Sequence, residues 1–201
     1  MSLLNNTEHI RDTRVRFVSL DMIGNLSLDS SIFVFANILI GSSLVAILAQ
    51  ISIPLPFSPV PITGQTVGVL LVGSLLGSRV GAFSICAYLL EGALGLPVFS
   101  GFKSGLIVFT GPTVGYLFGF IPAAFLMGWA VERGITSSLA GSLIFCTLAS
   151  LLILCVGTLY FLIFQINISD AILLGFYPFL FGDLVKSAMV ALVLAGIGRK
   201  L

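Results

Sequence analysis

Gly175-Phe-Tyr-Pro-Phe-Leu-Phe-Gly-Asp-Leu-Val-Lys-Ser-Ala-Met189 decides how the whole chain is read. It sets Asp183 and Lys186 inside an apolar run that continues to Gly198. Residues three apart share a helix face, so a carboxylate and an ammonium point the same way near the start of a segment with membrane-spanning character. A charge inside a bilayer costs at least a few kcal/mol, so such a residue faces a bundle interior, a partner or a ligand. Two readings follow: a self-satisfied pair that fixes helix packing, or the anchor of a polar ligand site.

Composition places the rest of the chain in the bilayer. Of 201 residues, 58% are hydrophobic and only 8% charged, against about 25% charge in a soluble domain. The mean hydropathy is +1.18. Apolar runs are continuous rather than alternating, which predicts an all-α integral membrane protein and not a β-barrel. Six spans are predicted at residues 32–51, 66–76, 80–96, 112–131, 137–164 and 179–197. Residues 1–30 read as a polar cytoplasmic tail, too long before the first apolar run for an ordinary cleaved signal, and residues 31–201 as the membrane domain. The positive-inside rule fixes the orientation. With six spans and both ends in the cytoplasm, Arg11, Arg14, Arg16, Arg79, Arg133, Arg199 and Lys200 all fall inside, and Lys103 alone in an outer loop.

The second run, 66–76, is too short to cross a bilayer core of about 20 residues' helix length. The loop before it, carrying Pro54, Pro56, Pro59 and Pro61, is therefore expected to dip into the membrane, as is the Gly-rich loop 101–111. Irregular backbone at that depth must be buried in protein or line a cavity. Both loops, with the start of the sixth span, converge on the outer side near Asp183 and Lys186, and an outward-facing pocket is the result. Residues 165–178, with Asn167, Ser169 and Asp170, read as a further loop.

Several chemistries are excluded. No P-loop pattern occurs, so the chain carries no nucleotide-hydrolysing motif of that type. Its one histidine, His9, lies in the tail, which leaves no Ser–His or zinc hydrolase set in a span. No basic patch exists for nucleic acid. Cys86, Cys146 and Cys155 read as small packing residues, and nothing calls for a metal or cofactor. Glu91, three residues after Tyr88, is a second acid within a span; an outer-side base such as Lys103 is one partner for it. Asn37 and Gln50 read as helix–helix hydrogen bonders. Ser42, Ala46 and Ala49 form a small-residue stripe on the first span that lets another helix approach, inside the protein or from a partner.

Four blocks then carry a resemblance. Ile51-Ser-Ile-Pro-Leu with Val60-Pro-Ile-Thr-Gly-Gln-Thr66, Tyr88-Leu-Leu-Glu-Gly-Ala-Leu-Gly-Leu-Pro-Val-Phe99, Gly111-Pro-Thr-Val-Gly-Tyr-Leu-Phe-Gly-Phe120 and Gly182-Asp-Leu-Val-Lys186 resemble, in order and spacing, the BioY family. These are the biotin-capturing S components of energy-coupling factor (ECF) transporters. The resemblance covers residues 32–198. It departs at Gly64, Phe181, Ser42 and Phe102-Lys103.

The resemblance implies a non-enzymatic, multi-pass protein of the cell membrane, with six helices, biotin near the outer side and a gating loop after the first helix. It also implies that Ser42, Ala46 and Ala49 dock on a transmembrane coupling subunit that carries two ABC-type ATPases. Biotin offers ureido N–H groups and a carbonyl, an apolar thioether ring, and a tail carboxylate. Asp183, Lys186, Tyr88 and Gln65 suit the ureido end, Lys103 or backbone N–H groups of the first loop the tail carboxylate, and Phe57, Val98 or Phe99 the apolar middle. Glu91 joins this candidate set. An S component for another vitamin and a proton-coupled carrier using Glu91 and Asp183 remain as alternatives.

Overall fold

The computed structural model describes residues 28–164 and 167–198. The tail up to residue 27, and with it Arg11, Arg14 and Arg16, lies outside the described residues, as do Arg199 and Lys200. Seven helices and one hairpin follow in order: α1 (Leu28–Ala49), β1 (Ser52–Leu55), β2 (Ser58–Thr63), α2 (Gln65–Leu76), α3 (Ser78–Ala93), α4 (Val114–Glu132), α5 (Leu139–Phe161), α6 (Ile168–Gly175) and α7 (Tyr177–Gly198). Six of these helices overlay the six predicted runs.

Four segments are long and apolar enough to cross a membrane by length and composition: Ser31–Ala49, Val114–Glu132, Leu139–Phe161 and Ile168–Gly196. The 12 residues of α2 reach roughly 18 Å at 1.5 Å per residue, short of the bilayer core. This helix is nonetheless central. Val69, Leu70 and Val72 are almost completely buried, and α2 packs on α1, α3, α4 and α7. α4 and α5 form the most extensive helix pair, and α7 closes the bundle against α5.

Two segments differ from the sequence reading. The proline-rich stretch after α1 forms a hairpin: β1 and β2 pair antiparallel, Ser52 with Thr63 and Ile53 with Ile62, with a register shift between Ile53 and Leu55, so the fold is not purely helical. Pro59 and Pro61 of β2 are two apart, which puts their missing N–H donors on one side of the strand; β1 holds Pro54 alone, and Pro56 lies in the turn. A two-stranded sheet has a free edge on each strand to accept them. The stretch expected as a loop at 165–178 contains α6, eight residues long, with Asp170 in its first turn, where a carboxylate favours the helix dipole. Its Ala171 and Gly175 are buried while Ile168 and Leu173 are exposed. The loop 101–111 folds as two 3₁₀ turns, Ser100–Phe102 and Leu106–Thr110.

The joint between α2 and α3 orients the bundle. Gly77 has φ +81°, a conformation natural to glycine, and lets α3 start one residue after α2 ends. Glu132, the last residue of α4, then caps α3: its Oε1 accepts from Ser78 N at 2.6 Å, and Ser78 Oγ donates to it at 2.9 Å. Arg79 and Arg133 thereby sit at one end of the bundle, Arg133 stacked over Trp129 at 4.2 Å. The hairpin and the 98–103 turn lie at the other. Ser138 caps α5 by accepting from Gly141 N at 3.0 Å.

Glu132→Ala removes the cap on α3 and should cost about 0.5–2 kcal/mol, as helix N-caps do. Thermal unfolding in detergent should show a lower Tm for Glu132→Ala and a smaller drop for Glu132→Gln, which keeps an acceptor. Equal stability of all three would mean that the Ser78–Glu132 contact carries no weight.

Candidate functional site

At the hairpin end, a cavity opens between β2, the start of α2, the 98–108 loop, α4, α5 and α7. Its walls are mainly apolar: Val60, Phe99, Leu117, Phe120, Ile153, Leu154 and Phe179. Its polar groups converge from different elements: Thr63 of β2, Gln65 and Thr66 of α2, Ser100 and Lys103 of the loop, Thr113 and Tyr116 at the start of α4, and Asp183 of α7. Apolar walls with a small number of placed polar anchors are the usual form of a small-molecule site.

Asp183 is 4% exposed and bound at Oδ1 by Lys186 Nζ at 2.9 Å. Among the described residues no other hydrogen bond to Asp183 occurs, and Asp183 lines the cavity. Lys186 lines the back of the carboxylate and not the cavity. Gln65 is oriented on both sides. Its Oε1 accepts from Thr63 Oγ1 at 2.9 Å, and its Nε2 donates to Tyr88 Oη at 2.6 Å. Tyr88 is fully buried and donates to Val98 O at 3.2 Å. It therefore stands behind the wall, holding Gln65 and meeting Phe99 edge-on at 5.4 Å between ring centroids.

Of the residues singled out from the sequence, Asp183, Gln65, Phe99 and Lys103 are brought together on the cavity. Phe57 is not: it lies at the hairpin turn, 58% exposed. Glu91 is not either. It accepts from Ser42 Oγ at 2.8 Å at the contact of α3 with α1, away from the cavity, and makes no ion pair with Lys103 among the described residues. The small stripe on α1 turns inward. Ser42 and Ala49 are completely buried, because Gly41 and Ser42 let α3 press against α1, and a Cβ on Gly41 would fall 2.5 Å from Ser84 Oγ. Only Ala46 of the three is partly exposed. Asn37 bonds its own helix at Phe33 O, and Gln50 bonds both its own helix at Ala46 O and the 98–103 turn.

Tyr116 is one of several cavity residues, with Thr66, Phe120 and Phe179, that were not singled out from the sequence. It lies in the Gly111–Phe120 block, and its hydroxyl donates to Gly175 O of α6 at 2.6 Å. Glycine at position 157 of α5 leaves room for its ring; a Cβ there would overlap it. An aromatic in an apolar run gives no sign in sequence of which neighbour it meets.

The apolar helices and the cavity define the class: a multi-pass helical membrane protein with a candidate ligand cavity at the hairpin end. Comparisons with known proteins narrow this class. Residues 23–201 match the BioY family, and the chain belongs to it. It is 40% identical over 152 residues to the biotin transporter BioY of Thermotoga maritima, covering 76% of this chain and 88% of that one. It is 35% identical over 165 residues to biotin transporter BioY2 of Lactococcus lactis, covering 82% and 89%. The crystal structure of the S-component for biotin from an ECF-type ABC transporter superposes with a TM-score of 0.76 at 28% identity, covering 88% of this chain and 96% of that one.

Gly92 tests how tightly the cavity wall is packed. A Cβ there would lie inside the Phe99 ring. Gly92→Val should destabilise by about 1–3 kcal/mol, the usual range for overpacking. Thermal unfolding in detergent measures it, and an unchanged Tm would show that Phe99 moves aside freely.

Proposed function

We propose that this protein captures biotin at the outer face of the cytoplasmic membrane and passes it inward as the S component of an ECF-type transporter. The role is transport, not catalysis. The observation that carries the reading is the pairing of Asp183 in the wall and Lys103 at the mouth of one apolar cavity. A ligand that fits needs N–H donors at one end, an apolar middle and an anionic tail at the other, and biotin has all three. Asp183 Oδ2 accepts from the ureido N–H groups, with Gln65 and Tyr116 as neutral partners. Phe99, Phe120 and Phe179 cover the thioether ring and chain. Lys103 meets the tail carboxylate.

The same reading takes α1, α2, α3, α4, α5 and α7 as six spans with both termini cytoplasmic. Support comes from Arg79 and Arg133 sharing the bundle end opposite the hairpin, in keeping with the positive-inside rule. The β1–β2 hairpin above the short α2 then acts as the lid. A transmembrane coupling subunit with two ABC-type ATPases supplies the energy; the membership of the superposed protein in an ECF-type ABC transporter supports this. Docking through α1 falls to Ala46 and its exposed neighbours, because Ser42 and Ala49 are occupied inside the protein.

Equilibrium binding of radiolabelled biotin to the purified protein is the test. Wild type should bind saturably, and Asp183→Ala should bind more weakly by about 1.5–3 kcal/mol, the size of a hydrogen bond to a charged group. No binding by wild type, or unchanged affinity in a folded Asp183→Ala protein, would contradict the proposal.

A further inference from the structure

The turn at residues 98–103 has an unusual support. Gln50, one residue beyond α1, donates from Nε2 to Phe99 O at 3.2 Å and Val98 O at 3.4 Å, while its Oε1 accepts from Phe102 N at 3.1 Å. A further bond from Nε2 to Ala46 O, at 3.1 Å, ties the amide back to α1. One side chain thus holds three backbone groups of one short turn. That turn is strained. Phe102 has φ +56°, the one non-glycine residue with positive φ among the described residues, and Gly101 before it has φ +70°. A bulky side chain disfavours this conformation. The Phe102 ring does not compensate by packing, since it is 69% exposed.

The two ends of the turn are the cavity residues Phe99 and Lys103, joined by Phe99 N donating to Lys103 O at 3.1 Å. They are not anchored alike. Phe99 is held by Tyr88 and by Phe109, whose ring centroid is 5.7 Å away. Lys103 is exposed and has no ion pair among the described residues, so its direction depends on the backbone of the turn.

We infer that Gln50 is a positioning residue for the ligand's anionic end: by holding Phe102 in its left-handed conformation it aims Lys103 into the cavity. It touches no ligand itself. The inference rests on the biotin reading above and adds to it the residue on which recognition of the tail carboxylate depends. Losing the Gln50 amide leaves Phe99 in place, releases the turn at Phe102, and lets Lys103 swing into solvent. The damage should be selective for the carboxylate and should disappear for a ligand that has none.

The experiment compares biotin with its neutral methyl ester, each in equilibrium binding to the purified full chain. Gln50→Met should weaken biotin about tenfold, the loss of one charge-assisted contact, and the ester by less than about twofold. Asparagine adopts left-handed backbone more readily than phenylalanine, so adding Phe102→Asn to Gln50→Met should recover most of the biotin affinity. Equal losses for biotin and ester, or no recovery with Phe102→Asn, would reduce Gln50 to general packing and overturn the inference. Gln50→Met binding biotin like wild type would overturn it as well. Failure of wild type to bind biotin at all would instead remove the underlying reading.

Discussion

Asp183 and Lys186 are held 2.9 Å apart on one face of an apolar helix, and the cavity is built around what that pair leaves unsatisfied. A lone carboxylate within a bilayer is costly, and neutralisation by an ammonium one turn away reduces the cost. Lys186 engages Oδ1 only. Asp183 lines a cavity with mainly apolar walls, where a hydrogen bond to charge is stronger than in water. A site of this kind favours a small molecule that brings N–H donors with it. In the proposed reading the pair serves both of the roles its sequence suggests, lodging a charge in the bundle and presenting a carboxylate to the ligand.

Around this anchor the hairpin end is tied together by a few side-chain bonds to backbone or to each other. Ser58 of β2 donates to Leu174 O of α6 at 2.8 Å, and Tyr116 donates to the next carbonyl, Gly175 O. Ser100 and Ser52 link the 98–103 turn to β1 at 2.7 Å. Gln50 links the same turn to α1. Hairpin, turn and α6 come from distant parts of the chain, yet each carries a polar contact to another or to the cavity wall. Such bonds are individually worth about 1 kcal/mol net, in keeping with the lid role proposed for the hairpin.

Much of this was legible in the sequence. Continuous apolar runs gave the helices, and Gly77 with Arg79 marked the α2–α3 joint. Asp183, Gln65, Phe99 and Lys103, read from charge and from the family blocks, do line the cavity. What was hidden depends on partners far along the chain. Glu91 looked like a second ligand acid because its spacing from Tyr88 fixes only a helix face; its bond to Ser42 spans 49 residues. The stripe of Ser42 and Ala49 carried the signal of close helix approach, but small residues do not say whether the approaching helix belongs to the same chain. Four prolines concealed a hairpin, since their spacing, not their number, decides whether strands can pair. Asn167, Ser169 and Asp170 read as loop residues although the same types open helices.

The central claim is that Asp183 meets the ligand while Lys186 serves to neutralise it. A double-mutant cycle on biotin binding tests this directly, with Asp183→Asn, Lys186→Met and both together. Each single change strands one charge in the bundle and should weaken binding by about tenfold or more, whereas the double change keeps an acceptor, strands no charge, and should bind within a few-fold of wild type. A double variant as weak as the weaker single one would contradict the account and put Lys186 on the ligand.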